Sequence, residues 1–301
     1  MTEKLSENFT PLLPTKDWNT EWIELQKKRR HVDDSSYWDR RAQTFATKDS
    51  PNAYVERFLD LAGIALGETV FDMGCGTGAL SIPLAERGHH VTAADFSSGM
   101  LAVMCEGLAA RGIDTVTQKL MSWEDDWQSW GLCEKSFDVA IASRSIATQD
   151  LGCALDRLGA LARRRVCITL ATGYSQRVDE RALRALGLEN AFGNDYQYAV
   201  NILINKGFLP EVSYIESTRD DTFESFEEAY RIYWHMIEDA GATVEDEART
   251  PLEERLSGWL KDHLVTNRQV GKPDRKGVPQ KPLRLDEPRR VTWAFIAWNL
   301  E

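Results

Sequence analysis

The sequence predicts an α/β protein built on a doubly wound, mostly parallel sheet of seven strands. Three observations carry that prediction. From Glu68 onward, short runs rich in β-branched and aromatic residues alternate with helical stretches. The first of these runs, TVFDM, passes straight into the turn Gly74-Cys75-Gly76-Thr77-Gly78 and then into the helical stretch ALSIPLAERG. The chain closes on VTWAFIAW, residues 291 to 298, whose apolar, branched and aromatic content suits a buried strand.

In chain order, residues 1–50 are polar and aromatic, with Trp18, Trp22, Tyr37 and Trp38, and lack strand alternation; they predict an N-terminal helical cap. Residues 51–217 hold six strand runs, TVFDM, HVTAAD, TVTQK, SFDVAIA, RVCITLA and PEVSYIES, and form the core. Pro83, in the helix after the glycines, bends that helix or marks its early turns. Over residues 218–290 the alternation stops, and a helical insertion is expected. Its first helix starts at Ser225 with Glu228 completing a capping box, and Phe226, Tyr230, Tyr233, Trp234 and Ile237 recur at helical spacing. The second takes Thr250 as cap, Pro251 at the first helical position and Glu253 to close the box. Residues 291–301 return to the core as its last strand. The stretch Arg268 to Arg290, rich in Lys, Arg and Pro, is read as a solvated loop.

At 301 residues, 43% hydrophobic and 28% charged, the chain is an ordinary globular protein, which excludes disordered and disulfide-scaffold classes. Acidic residues outnumber basic ones 47 to 36, for a net charge of -11, so nucleic acid is not the expected partner. The N-terminus is polar, and no run of ~18 apolar residues occurs, which predicts neither secretion nor membrane spanning. The five cysteines are odd in number and scattered, the pattern of reduced thiols in a cytoplasm.

The segment that carries chemistry is Val70 to Gly78. Glycines at 74, 76 and 78 permit a tight turn and let a ligand approach the backbone, and the helix that follows offers unpaired amide donors. Asp95 stands at the end of the second strand, where a carboxylate can accept both hydroxyls of a ribose. A nucleoside-bearing cofactor follows, and two classes remain open. Gly74, Gly76 and Ala79 fit a dinucleotide fingerprint, which would make the chain an NAD-dependent oxidoreductase. Against that, Gly78 breaks the spacing, and Asp72 places an acid where it would repel a pyrophosphate but help position an ammonium.

These residues resemble the class I S-adenosylmethionine-dependent methyltransferases, whose first motif is an acid followed by G-x-G-x-G. The likeness runs through FDMGCGTG, through Asp95-Phe96-Ser97-Ser98-Gly99-Met100-Leu101, and through Ser136-Phe137-Asp138-Val139-Ala140-Ile141-Ala142. It implies a Rossmann-like methyltransferase fold with S-adenosylmethionine as cofactor. Gly74, Gly76 and Gly78 would wrap its methionine part, with Asp72 orienting the amino group. Asp95 would hold the ribose, and Phe96 and Met100 would flank the adenine. Ser122, Trp123 and Glu124 would sit at the adenine amino edge, and Tyr37 and Arg41 would lie on a helix closing over the carboxylate end.

The implied reaction is in-line methyl transfer to a nucleophile of a small-molecule substrate, anionic or aromatic. A protein that holds the cofactor without catalysis is the other alternative. A metal-assisted mechanism would need a carboxylate and amide cluster near the same strands, which the sequence does not assemble, so no catalytic metal is expected, and Ala142-Ser143-Arg144-Ser145 is unlike the motif of nucleobase methyltransferases. Arg144, at the carboxyl end of the fourth strand, can grip a carboxylate or phosphate in two-pronged fashion, or pair with a nearby acid. Tyr233 and His235, on the insertion's aromatic helix, are candidate substrate contacts, set against core packing for the stripe and a surface role for the histidine. Cys75 is expected to be a small spacer rather than a nucleophile.

Overall fold

The glycine turn is held by a sheet whose strands are buried on both faces. A computed structural model describes residues 17–29, 34–45, 52–190, 193–240, 246–274 and 277–300. Seven strands form the main sheet: β1 (Val70–Met73), β2 (Val91–Asp95), β3 (Val116–Leu120), β4 (Phe137–Ser143), β5 (Ala162–Ala171), β6 (Glu211–Arg219) and, last in the chain, β10 (Arg289–Asn299). Their order is β3-β2-β1-β4-β5-β10-β6, and β1 pairs in parallel with both β2 and β4. Only β10 runs against its neighbours, β5 on one side and β6 on the other. The order reverses at β1 and β4, and crevices for ligands open at the carboxyl ends of strands at such a switch point. The glycine turn and Arg144 both lie there.

Helices cover the two faces. Those of the first fifty residues that are described form α1 (Trp18–Lys28) and α2 (Ser35–Phe45); 1–16, 30–33 and 46–50 lie outside the described residues. α3 (Ala53–Ala62) is capped by Asn52, which accepts from Val55 N at 3.0 Å, and ends at Gly63. α4 (Ser81–Glu86) and α5 (Ser98–Ala109) follow β1 and β2. Pro83 is the third residue of α4, where no intrahelical donor is needed, so it marks an early turn. α6 (Leu151–Leu161) precedes β5, and α7 (Glu180–Leu186) and α8 (Tyr196–Asn205) lie between β5 and β6.

Two apolar layers sandwich the sheet. One collects Phe71, Met73, Ile168, Trp298 and Leu155 with Trp22 of α1. The other collects Val70, Ile141, Phe295 and Phe58 of α3. Trp22 is fully buried, and its Nε1 donates to Thr148 O at 2.8 Å, so α1 is pinned by both packing and a hydrogen bond.

The insertion holds more than the two expected helices, α9 (Phe226–Asp239) and α10 (Asp246–His263). Short strands β7 (Thr222–Phe223), β8 (Leu264–Thr266) and β9 (Leu283–Leu285) form a second sheet in the order β7-β9-β8. The basic stretch is therefore partly ordered: it supplies β9, a Pro273–Pro279 bridge and the first residues of β10, while Arg275 and Lys276 lie outside the described residues. Ser225 caps α9, accepting from Glu228 N at 3.2 Å, and the Glu228 carboxylate takes Glu224 N. Thr250 does not cap α10. That helix begins four residues earlier, with Pro251 inside it and Arg249 paired to Glu253, because an i,i+4 pair and the buried Leu252 and Leu256 outweigh a local start signal.

A third apolar core joins α7 to α9, α10, β7 and β9, through Leu183, Leu186, Tyr233, Leu256 and Trp259. Arg289, only 2% exposed, ties this core to the main sheet. Its Nε donates to Asp221 Oδ2, and its Nη1 reaches the carbonyls of Ser175, Gln176 and Val178. Among the described residues no helix is long and apolar enough to cross a membrane.

Replacing Trp22 with Ala should destabilise the fold by about 3–5 kcal/mol, because it opens a large cavity and strands the Thr148 carbonyl. Chemical denaturation of parent and variant measures this; an unchanged midpoint would mean that α1 is not part of the cooperative core.

Candidate cofactor and acceptor site

The turn after β1 is forced by its glycines. Gly74 has φ +73°, and a Cβ there would collide with the Ser145 side chain, whose Oγ donates to Met73 O at 2.6 Å. Gly76 has φ +54°, and a Cβ there would meet nothing within 4 Å, so this position faces open space above the turn. The third glycine falls at 78, where φ is +83° and a Cβ would lie 2.7 Å from Met104. The spacing that the backbone needs is thus 74, 76 and 78 rather than the dinucleotide pattern ending at Ala79.

Two carboxylates are buried around this turn. Asp95, at the end of β2, accepts from Gly76 N at 2.8 Å through one oxygen and from Ser97 N at 2.9 Å through the other. Each oxygen keeps a lone pair, so the acid that shapes the turn can also receive ribose hydroxyls. Burial raises its pKa, and the backbone donors at Ser97 and Gly76 act against that rise. Asp72 is 2% exposed and accepts from Ser81 Oγ at 2.6 Å. Burial pushes it up to about 7, with Asp95 adding to the shift and the Ser81 hydrogen bond opposing it. A buried acid with a single hydroxyl partner is suited to an ammonium group. The open space over Gly76, the lone pairs of Asp95 and the acid at Asp72 together fit S-adenosylmethionine. Burial and the two acids push the Cys75 thiol well above its usual range, so it is no nucleophile.

The other expected contacts are placed as follows. Met100 is buried in the first turn of α5, and Phe96 is half-buried just before it. Ser122 is held by Asp125, which accepts its N–H at 3.0 Å and its hydroxyl at 3.2 Å, while Glu124 is exposed. Trp123 packs on Trp127, and its Nε1 donates to Ser145 O at 3.0 Å, which links the loop after β3 to the loop after β4 beside Gly74. On α2, Arg41 is exposed and pairs with Tyr37, donating to its hydroxyl at 2.9 Å. The residue of α2 that reaches the segment after β2 is Asp39, which accepts from Ser97 Oγ at 2.6 Å and Gly99 N at 2.8 Å. Sequence reasoning missed it; its place two residues after Tyr37 in a helix gave no signal of where that helix docks.

Arg144 follows β4 with φ +61° and is exposed. Its guanidinium lies 4.4 Å from the Tyr54 ring centroid and 6.0 Å from that of Trp293. Among the described residues no carboxylate pairs with it. The Tyr54 hydroxyl meets Ser143 Oγ at 2.7 Å and Thr169 Oγ1 at 2.9 Å, and Arg144 N donates to Thr169 Oγ1 at 3.0 Å. Tyr54, Ser143, Thr169 and Trp293 come from α3, β4, β5 and β10, so only the folded sheet brings them together. Tyr233 and His235 are not part of this group. Tyr233 is fully buried and donates to Asp179 at 2.8 Å, in contact with Phe223 and Trp259; His235 is exposed beside Glu238. A helix turns 100° per residue, which sends these two side chains to different faces.

Residues 70–164 match the family model described as "Methyltransferase domain". An uncharacterized protein of Haemophilus influenzae is 31% identical over 266 residues, covering 88% of this chain and 89% of that one. The aklanonic acid methyltransferase of Streptomyces sp. strain C5 is 31% identical over 132 residues, 43% of this chain and 54% of its own. A solved phosphoethanolamine N-methyltransferase 2 of Haemonchus contortus overlays with a TM-score of 0.47 at 16% identity, covering 95% of this chain and 60% of that one.

Asp72 makes stability depend on pH. Its folded-state value of about 7 lies above the ordinary aspartate value, so from about pH 4 to pH 7 the folded chain holds a proton that the unfolded chain has released. That contribution is present in acid and is lost as pH rises through 7, at ~1.4 kcal/mol for each unit of displacement. Asp72→Asn should therefore flatten the fall in stability between pH 5 and pH 8, and denaturant midpoints at the two pH values measure it. An identical slope in parent and variant would place the titration elsewhere.

Proposed function

Because the chain belongs to the class I S-adenosylmethionine-dependent methyltransferases, we propose that it methylates a small-molecule acceptor bearing a carboxylate or phosphate, with Arg144 as the residue that grips it. When bound, the cofactor supplies an electrophilic methyl on a sulfonium sulfur. The residues of the chain bind and orient. Asp72 receives the ammonium end, Asp95 the ribose, and Phe96 and Met100 the adenine, while the backbone at Gly76 leaves room for the methionine part.

One observation carries the acceptor reading: an exposed guanidinium with no acidic partner among the described residues stands at the carboxyl end of β4, beside the Ser145 that packs on Gly74. Stacking on Tyr54 holds the guanidinium plane and leaves its N–H edge free for a two-pronged anion. The Tyr54, Ser143 and Thr169 hydroxyls provide a polar wall next to it, and Trp293 an apolar one. Such walls align nucleophile, methyl and sulfur and keep water out, which is what an in-line transfer requires. The insertion, residues 218–290, is proposed to cover the acceptor, and residues 1–50 to cap the cofactor end. The net charge of -11 supports a small molecule over nucleic acid, and five unpaired cysteines support a cytoplasmic enzyme.

The test is calorimetric titration with S-adenosylmethionine and S-adenosylhomocysteine, followed by an acceptor screen that reads S-adenosylhomocysteine formation. Asp95→Ala should weaken cofactor binding by about tenfold or more, through loss of charge-assisted hydrogen bonds. Arg144→Ala should leave cofactor affinity within about twofold and lower kcat/KM for the anionic acceptor by about 10–100-fold. Full activity of Arg144→Ala on that acceptor would overturn the assignment of the arginine.

A further inference from the structure

We propose that the outer edge of the main sheet is a self-association surface, at which β6 pairs antiparallel with β6 of a second copy of the chain. The strand is nine residues long, pairs with β10 on its inner side in unbroken register from Glu211 to Arg219, and has no bulge. Backbone groups in an antiparallel strand point alternately to either side, so half of those in β6 face outward. Among the described residues no other backbone segment hydrogen-bonds to it.

Exposed sheet edges in natural proteins are guarded by Lys, Pro, bulges or shortness. The opposite edge, β3, follows that rule, with five residues that include Lys119. β6, EVSYIESTR, has no Lys, Pro or bulge, and its charged residues Glu211, Glu216 and Arg219 are each paired within the chain. Six of its residues are exposed. Of the ten large hydrophobic side chains exposed among the described residues, Ile204, Leu209, Val212 and Tyr214 fall on the segment that leads into and forms this strand.

The charges select a second copy as the occupant. When two β6 strands run antiparallel about a two-fold axis at Ile215, all nine residues pair, and Glu211 of each chain stands opposite Arg219 of the other. Ser213 then faces Ser217, and Val212 faces Thr218. The strand is thus self-complementary, as a two-fold interface requires. Its charges are also neutralised within the chain, Glu211 by Arg165, Glu216 by Arg290 and Arg219 by Asp221, so no unpaired charge on the strand repels the second copy.

The same register places Tyr214 opposite Glu216 of the second copy, which gives a test specific to the pairing. Sedimentation of the full-length parent over a roughly hundredfold concentration range should show a dimer. Tyr214→Glu sets two like-charged pairs across the axis and should weaken the dimer by about tenfold or more, whereas Tyr214→Lys meets Glu216 favourably and should leave it intact. Tyr214 is 48% exposed, and unfolding midpoints check that both variants fold. A monomeric parent throughout the range, or a dimer that responds equally to Glu and Lys at 214, would overturn the proposal.

Discussion

The site depends on burying two carboxylates next to a turn that no side chain may enter. Asp95 accepts from the backbone of Gly76 and Ser97, so the acid fixes the turn that it serves. Asp72 accepts from the Ser81 hydroxyl and lies near the Asp95 carboxylate, so burial and a like charge both make its ionised form costly. The first acid is satisfied by the fold, and the second is left for the ligand. That asymmetry separates the two acids, although both lie at the ends of neighbouring parallel strands, and it supports the different binding roles proposed for them.

Around this centre the chain uses serines as joints. Ser145 fills the space against Gly74 and bonds the β1 carbonyl, and its own carbonyl receives Trp123. Ser97 caps α5, accepting from Met100 N, and its hydroxyl passes on to Asp39 of α2. The loops after β1, β3 and β4 are thereby connected, and the loop after β2 is tied to α2, through short polar contacts that are partly or wholly buried, where water competes poorly. On the acceptor side the same logic is met by hydroxyls of Tyr54, Ser143 and Thr169 beneath a stacked arginine.

The insertion is organised separately. Its core rests on Tyr233, whose hydroxyl donates to Asp179, while Asp179 also pairs with Arg181 and caps α7. Burial and the adjacent Asp179 push the Tyr233 phenol up, so it serves as a buried hydrogen-bond donor and not as a base. Arg289 closes the connection to the main sheet by donating from Nε to Asp221 and from Nη1 to the carbonyls of Ser175, Gln176 and Val178, two separate donor atoms where a lysine has a single nitrogen.

The sequence alone determined the seven strands, the glycine turn and the two acids, because these are local patterns: period, spacing, and a residue type demanded at one backbone position. The residues by themselves left a dinucleotide open, and the family resemblance chose S-adenosylmethionine. The sequence also identified the cap at Ser225, whose hydroxyl accepts from Glu228 N three residues on, although the Glu228 carboxylate reaches back to Glu224 N instead of Ser225 N. The start of α10 was misread because i,i+4 pairing and burial outweigh one favourable Thr-Pro signal. What only the tertiary structure decided are contacts between residues far apart in the chain. Tyr54 and Trp293 come under Arg144 from either end of the core, Asp39 docks on Ser97, and β7, β8 and β9 pair although each is too short to register as a strand by itself. It also removed Tyr233 and His235 from the acceptor group, since an aromatic stripe has the same spacing whether it faces a core or a ligand. Which of the two it meets is set by the packing of distant segments, and no local pattern records it.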